Sequence, residues 1–174
     1  TSGLIKTGEG TLVLTNNTNT LEGGIFIKSG VLVVTNALQL GAGIRPIAVT
    51  GVSTTGNPGF TGGSLVVQAP DAVNGGITFN RVITASGRGT TSYNGAGAVI
   101  SVGNNTFTGT VGLGGAGGGE TRFTSVSGVS TLAGDVHFGA GNSMLFFGNG
   151  NTVISGRINN HDYAQDRIIK AGLI

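Results

Sequence analysis

Residues Gly3–Asn36, GLIKTGEGTLVLTNNTNTLEGGIFIKSGVLVVTN, restrict the fold more than any other stretch of the chain. They hold three short apolar runs, Thr11–Thr15, Gly24–Lys28 and Val31–Thr35, separated by Gly, Asn, Thr and Ser. Leu12 and Leu14 flank Val13, Ile25 and Ile27 flank Phe26, and Leu32 and Val34 flank Val33. Side chains on a strand point alternately to opposite faces. One face therefore collects a stacking core of Leu12, Leu14, Ile27, Leu32 and Val34, joined by Ile25. The other face receives Val13, Phe26, Val31 and Val33. Hairpin turns can join such strands, and Gly-rich bends can wind them into a coil; the pattern is compatible with both.

The residues also carry a resemblance. The stretch resembles the passenger-associated transport repeat of autotransporter passenger domains. That repeat runs Gly-Leu, then Lys-Thr-Gly-x-Gly-Thr-Leu-x-Leu, an Asn-rich turn, Gly-Gly, a short strand, Gly and Leu-x-Val. Gly3, Leu4, Lys6, Thr7, Gly8, Gly10, Thr11, Leu12 and Leu14 fit its first half. Asn17, Thr18, Gly23, Gly24, Ile27, Gly30, Leu32 and Val34 fit its second. The resemblance covers about the first fifth of the chain. It implies an all-β fold, a right-handed parallel β-helix (β-solenoid), exported to the outer surface of a Gram-negative-type bacterium. The residues it carries over serve folding and stacking, and it implies no catalytic group.

Composition narrows the class. Gly makes up 35 of the 174 residues, well above a usual share of about 7%. Charged residues are only 9%, against about 25% in an average domain. Disordered chains lack Val, Ile, Leu and Phe; this chain has them, and its mean hydropathy is +0.25. The glycines have no Gly-X-Y period, which excludes collagen. Net charge is +2, and its Lys and Arg residues are scattered singly, so no nucleic-acid partner is expected. No apolar run reaches the roughly 18 residues of a membrane helix, so no membrane insertion of this segment is expected.

Beyond Asn36 the segment NALQLGAGIRP breaks the strand pattern, with room for one helical turn at Ala37–Leu40. Strand-like runs resume at Pro46–Thr50, Ser64–Gln68, Ile77–Ile83, Ala98–Val102, Thr110–Leu113 and Thr121–Val126. More follow at Gly134–Phe138, Met144–Phe147, Thr152–Ser155 and Arg167–Lys170. Turn clusters separate them, and no window keeps a helical period over three turns. Asn16-Asn17-Thr18 recurs as Asn104-Asn105-Thr106, and Asn151-Thr152 precedes a further run. Such residues can stack between rungs of a coil and share side-chain hydrogen bonds. A rung of three strands needs roughly 20–25 residues, which predicts about seven or eight rungs in a single solenoid segment over residues 1–174. A β-sandwich of hairpins is the alternative architecture.

Few residues suggest chemistry. The acids are Glu9, Glu22, Asp71, Glu120, Asp135, Asp162 and Asp166, without a repeated pattern. Carbohydrate-active β-helices need carboxylates on adjacent rungs. Asp162 and Asp166, beside His161 and Arg167, form the densest polar cluster, and a solvated loop accounts for it. Gly112-x-Gly114-x-x-Gly117 matches a dinucleotide fingerprint in letters only, because no helix pattern follows. Gly114–Glu120 lacks the Asp residues of a calcium repeat and reads as backbone bends. His137 alternates with Val136 and Phe138 and is expected to face solvent, and only His161 is available as a second imidazole. Asn16 and Asn104 are glycosylation sequons in letters, and turn ladders explain them as well. No cofactor or metal is expected, and the chain is read as non-enzymatic.

Two sets of residues are candidate contacts. Val13, Phe26, Val31 and Val33 face outward from the coil. They are either covered by the Asn36–Pro46 loop as a second layer or free for lateral contact with a partner chain. Ile5-Lys6-x-Gly8 also matches Ile169-Lys170-x-Gly172, so the end of the chain looks like the start of another repeat. Neither end resembles the polar cap of a solenoid. Ile5, Ile169 and Ile174 are therefore expected to be covered by continuing sequence or by another copy. The expected role is structural or adhesive, toward host or neighbouring-cell glycans or proteins. A self-assembling extracellular fibre subunit and a carbohydrate-active enzyme are the alternatives.

Overall fold

The computed structural model describes residues 2–43, 45–50, 62–70, 76–90, 97–114, 119–139, 142–159 and 167–170. The chain winds into a parallel β-solenoid with three sheets along its sides. The first sheet stacks Leu4–Lys6, Ile25–Ile27, Ile47–Thr50, Ile83–Ser86, Val111–Leu113, Val136–Phe138 and Ile158–Asn159. The second stacks Thr11–Leu14, Gly30–Val34, Gly63–Gln68, Val99–Val102, Gly119–Ser127, Asn142–Phe147 and Arg167–Lys170. The third has only Ile77–Phe79, Asn105–Phe107, Val129–Leu132 and Asn151–Ile154. Every pairing between these strands is parallel, which removes the hairpin sandwich. One isolated antiparallel bridge joins Thr90 and Gly97.

The inward ladders are apolar because each rung places one side chain over the same position of the next. Leu4, Ile25, Ile47, Ile83, Val111, Val136 and Ile158 stand in register on the first sheet. Leu12, Leu32, Leu65, Val99, Phe123 and Phe146 do so on the second. Ile27, Leu32 and Val34 are fully buried. Leu12 and Leu14 are only half-buried, a correction to the expected core. Their strand lies at the edge of the second sheet and pairs on one side alone, so no rung covers them.

The coil differs from the expectation in length and in its third side. Counted as three-sided turns it has about five, fewer than the seven or eight rungs expected. Among the described residues the two long sheets each stack seven strands, and the count of complete turns is lower because the third side has only four. Spacing is also uneven, 21 residues from Leu4 to Ile25 but 36 from Ile47 to Ile83. Strands at Leu4–Lys6, Asn105–Phe107, Val129–Leu132 and Ile158–Asn159 were not legible as apolar runs, and the expected run Ile77–Ile83 divides at a corner into two strands. Where the third sheet has no strand, Ala37–Leu40 forms a single 3-10 turn. The Asn36 side chain accepts from the Leu38 N–H (2.9 Å), and the Gln39 side chain accepts from the N–H groups of Thr35 (2.8 Å) and Asn36 (3.2 Å). Reciprocal bonds of this kind satisfy backbone donors that a short helix leaves free.

The repeat residues make one corner of the coil. Lys6 is buried, and its Nζ donates to the carbonyls of Thr7 (2.9 Å), Gly8 (2.6 Å) and Ser29 (3.1 Å). Gly30 has φ 71°, and a Cβ there would collide with the carbonyls of Gly8 and Gly10 and with the Lys6 amine. Only glycine fits both the conformation and the space.

Candidate interaction surface

The outward faces of the three sheets differ in what they expose. On the first sheet the outward ladder is Ile5, Phe26, Ala48, Thr84, Gly112, His137 and Asn159. Its first two members are exposed apolar side chains, Ile5 at 62% and Phe26 at 45%. Around them lies an open groove of about 510 Å³ lined by Gly3, Gly24, Arg45 and Ala48 among others. At the other end of the same face the groups are polar. Asp135 accepts from Arg157 Nη2 (2.8 Å) and Asn159 Nδ2 (3.2 Å), and Asn159 Nδ2 lies 3.1 Å from His137 Nε2. The hydrogen bond from Arg157 holds the Asp135 carboxyl below its usual range, aided by that residue's charge, and the same bond raises the Arg157 guanidinium.

The outer face of the second sheet divides. Val13 is 51% exposed. Val31 and Val33, expected to be open or covered by the Asn36–Pro46 loop, are buried in a second apolar cluster with Val66 and Ile100. Among the loop's described residues Leu40 belongs to the central core and Leu38 is exposed, so neither leucine supplies that cover. The loop closes the third side instead. Arg81, itself buried, donates from Nη1 to the Leu40 carbonyl (2.8 Å) and from Nη2 to the Arg45 carbonyl (2.7 Å). Burial pushes the Arg81 guanidinium below its usual value. Farther along the second sheet, Glu120 takes both Arg88 (2.8 Å) and Arg122 (3.0 Å), and Arg122 lies 5.6 Å from the Phe147 ring centre.

A buried polar ladder runs through the corner between the second and third sheets, which the sequence marked only as a recurring Asn-Asn-Thr. Asn105 Nδ2 donates to the Val67 carbonyl (3.2 Å), Ser101 Oγ (2.9 Å) and the Val102 carbonyl (3.0 Å). Its Oδ1 accepts from the Ile77 N–H (3.2 Å). Ser130 Oγ donates to Ser101 Oγ (2.7 Å) and lies 2.9 Å from Ser125 Oγ. Asn16 takes no part; it accepts from the N–H and hydroxyl of Thr18 in its own turn. The threonines that stack rung on rung, Thr78, Thr106 and Thr131, lie within the strands of the third sheet and not in its turns.

The expected likeness of the two ends is corrected. Ile5 and Lys6 sit on the first sheet, whereas Ile169 and Lys170 pair with Leu145 and Phe146 on the second. The shared letters therefore occupy different sides of the coil and are not one repeat phase. Among the described residues at the far end, Ile158 and Ile168 are exposed apolar side chains at inward positions, and Ile169 faces outward beside Leu145. Ile174, and the cluster of His161, Asp162 and Asp166, lie outside the described residues. Among the described residues no three of His, Asp and Glu are grouped to hold a metal ion.

Residues 4–34 match the passenger-associated-transport-repeat. The matched span covers the Lys6–Gly30 corner, the first two strands of both long sheets and both exposed members of the groove ladder. Matched repeat and parallel solenoid together support an autotransporter passenger-like module, and the repeat family implies a surface or secreted protein. No curated protein and no solved structure matches the chain.

Proposed function

We propose that this chain is a non-enzymatic, structural and adhesive module of a protein on the bacterial outer surface. The observation that carries the reading is the exposed apolar patch of Ile5 and Phe26 on a rigid parallel coil. The exposed part of the Phe26 ring gains nothing from folding, and apolar patches of this kind mark contact surfaces. The acids support the non-enzymatic part: Glu120 is engaged by two Arg residues and Asp135 by Arg157 and Asn159. The test is retention of beads coated with the purified chain on host-cell monolayers, against beads carrying Phe26→Ala with Ile5→Ser. Retention well above uncoated beads, lost in the double variant, is expected. Equal retention of all three beads overturns the adhesive role, and polysaccharide cleavage by the chain overturns the non-enzymatic one.

Assembly through the coil ends is a second reading, favoured by one observation. Leu4, Leu12 and Leu14 at one end, and Ile158 and Ile168 at the other, are inward side chains that no described rung covers. Further rungs of the same kind, from continuing sequence or from another copy of the chain, would bury them.

A further inference from the structure

We propose that the groove on the outer face of the first sheet binds a carboxylated sugar. The inference deepens the adhesive reading and rests on it for the setting, a chain displayed toward cell-surface polymers. The groove lies at the start of that face, over the outward side chains of its first three strands, where Phe26 is paired on both sides, with Ile5 and with Ala48. Among the described strands there only the outer edge of Leu4–Lys6 lacks a neighbour, so a strand could add beside the groove but an occupant of the groove itself is held by side chains. A volume of about 510 Å³ suits a small ligand of one or two sugar rings.

Three features select the chemistry. The Phe26 ring lies back against Gly24, where a Cβ would stand 2.8 Å from Phe26 Cε2. Beside it Gly23 and Gly3 press together so closely that a Cβ on Gly23 would meet Gly3 Cα at 2.8 Å. The result is an aromatic platform bordered by bare backbone, open to the flat C–H face of a pyranose ring. Arg45 lines the same groove and is exposed. No carboxylate among the described residues forms an ion pair with it. Its backbone is held in place, because its carbonyl accepts from Arg81 Nη2 at 2.7 Å. A guanidinium reads a carboxylate through two parallel hydrogen bonds. An apolar platform beside an unengaged cation is complementary to a sugar that carries an acid, such as a uronate or a sialate. A folded protein partner would need roughly 1,200 Å² of total buried surface, which a groove of this size does not offer.

The test is titration of the purified chain with trigalacturonate, a hyaluronan tetrasaccharide and sialyllactose, followed by backbone amide NMR shifts. Cellotetraose is the neutral control, and a tetraglutamate peptide is the acidic control without a sugar ring. Saturable shifts with at least one acidic sugar are expected at Gly3, Gly24 and Phe26, at least tenfold stronger than with either control. Phe26→Ala and Arg45→Gln should each weaken binding tenfold or more, while Val153→Ala, on the outer face of the third sheet, leaves it unchanged. Both groove side chains are exposed, and unchanged circular dichroism confirms that the variants fold. Absence of saturable binding by all three acidic sugars, equal binding of cellotetraose, or tighter binding of tetraglutamate overturns the proposal. Bead adhesion that acidic sugars fail to compete sinks this inference alone, whereas sugar binding in the groove without bead adhesion sinks the adhesive reading alone.

Discussion

The first rungs and the later rungs close the same coil by different means. Through residue 50 the core is aliphatic, and the third side is a loop held by side chains: Asn36 and Gln39 on the 3-10 turn, and Arg81 on the loop carbonyls. From Ile77 onward the third side is a true sheet. The core there gains a column of aromatic rings, Phe79, Phe107, Phe123 and Phe146, with neighbouring centroids 5.9, 5.5 and 6.0 Å apart. The corner is sealed by the Asn105–Ser101–Ser130–Ser125 ladder. Only the first region matches the repeat. What both share is inward positions that are mostly apolar, and a hydrogen-bond partner for each buried polar side chain described above (Lys6, Arg81, Asn105, Ser130), so these are the requirements of the coil. The repeat is one way of meeting them.

The largest effect should come from the aromatic column. Phe123 is fully buried and touches two rings. Phe123→Ala should cost about 3–5 kcal/mol, read from denaturant unfolding by circular dichroism. A loss below about 1 kcal/mol would mean that the column is not the anchor of the later rungs. Next comes the polar corner. Asn105→Leu removes the partner of the Ile77 N–H and the two amide N–H groups shared among Val67, Ser101 and Val102, so about 1–3 kcal/mol should be lost. Equal or greater stability in that variant would show that the ladder serves no role an apolar corner could not fill.

The loop on the third side should be cheaper to break. Asn36→Ala removes the cap of a single turn and should cost about 0.5–2 kcal/mol, with faster amide exchange confined to residues 35–41. Exchange that rises equally across the third sheet would erase the distinction between the two regions. The smallest effect concerns Asp135. Its carboxyl is held below the ordinary value of 3.8 in the folded chain, chiefly by the hydrogen bond from Arg157. A depressed carboxyl stabilises the fold above its ordinary value and loses that contribution as pH falls through the depressed one. The site is exposed, so Asp135→Asn should shift the acid unfolding midpoint only slightly, and a shift as large as that of Asn105→Leu would contradict this placement.

Much of this was legible in the residues themselves. Alternation about Phe26 and Val33 assigns Ile27, Leu32 and Val34 to the interior, and Gly and Asn between short runs specify strands and bends, because side-chain direction along a strand is a local property with period two. The resemblance at Gly3–Val34 pointed to the coil before any pairing was known. Short strands such as Asn105–Phe107 escaped notice because a buried Asn satisfied by distant carbonyls has the same letters as a surface turn. The groove was half visible: Phe26 and Ile5 stood out, while Arg45 and the stacked glycines did not, since nothing local brings them together.

Period and composition thus determined that the chain is all-β and which face of each strand turns inward. Only the tertiary structure decided which outward positions are covered. Val33 and Val13 occupy one ladder and have the same outward direction, yet one is buried and the other exposed. A strand's own residues set where a side chain points, but its cover comes from chain far away in sequence. Edge position, uneven rung length and the route of the third side settle that cover, and none of the three is written in a period of two.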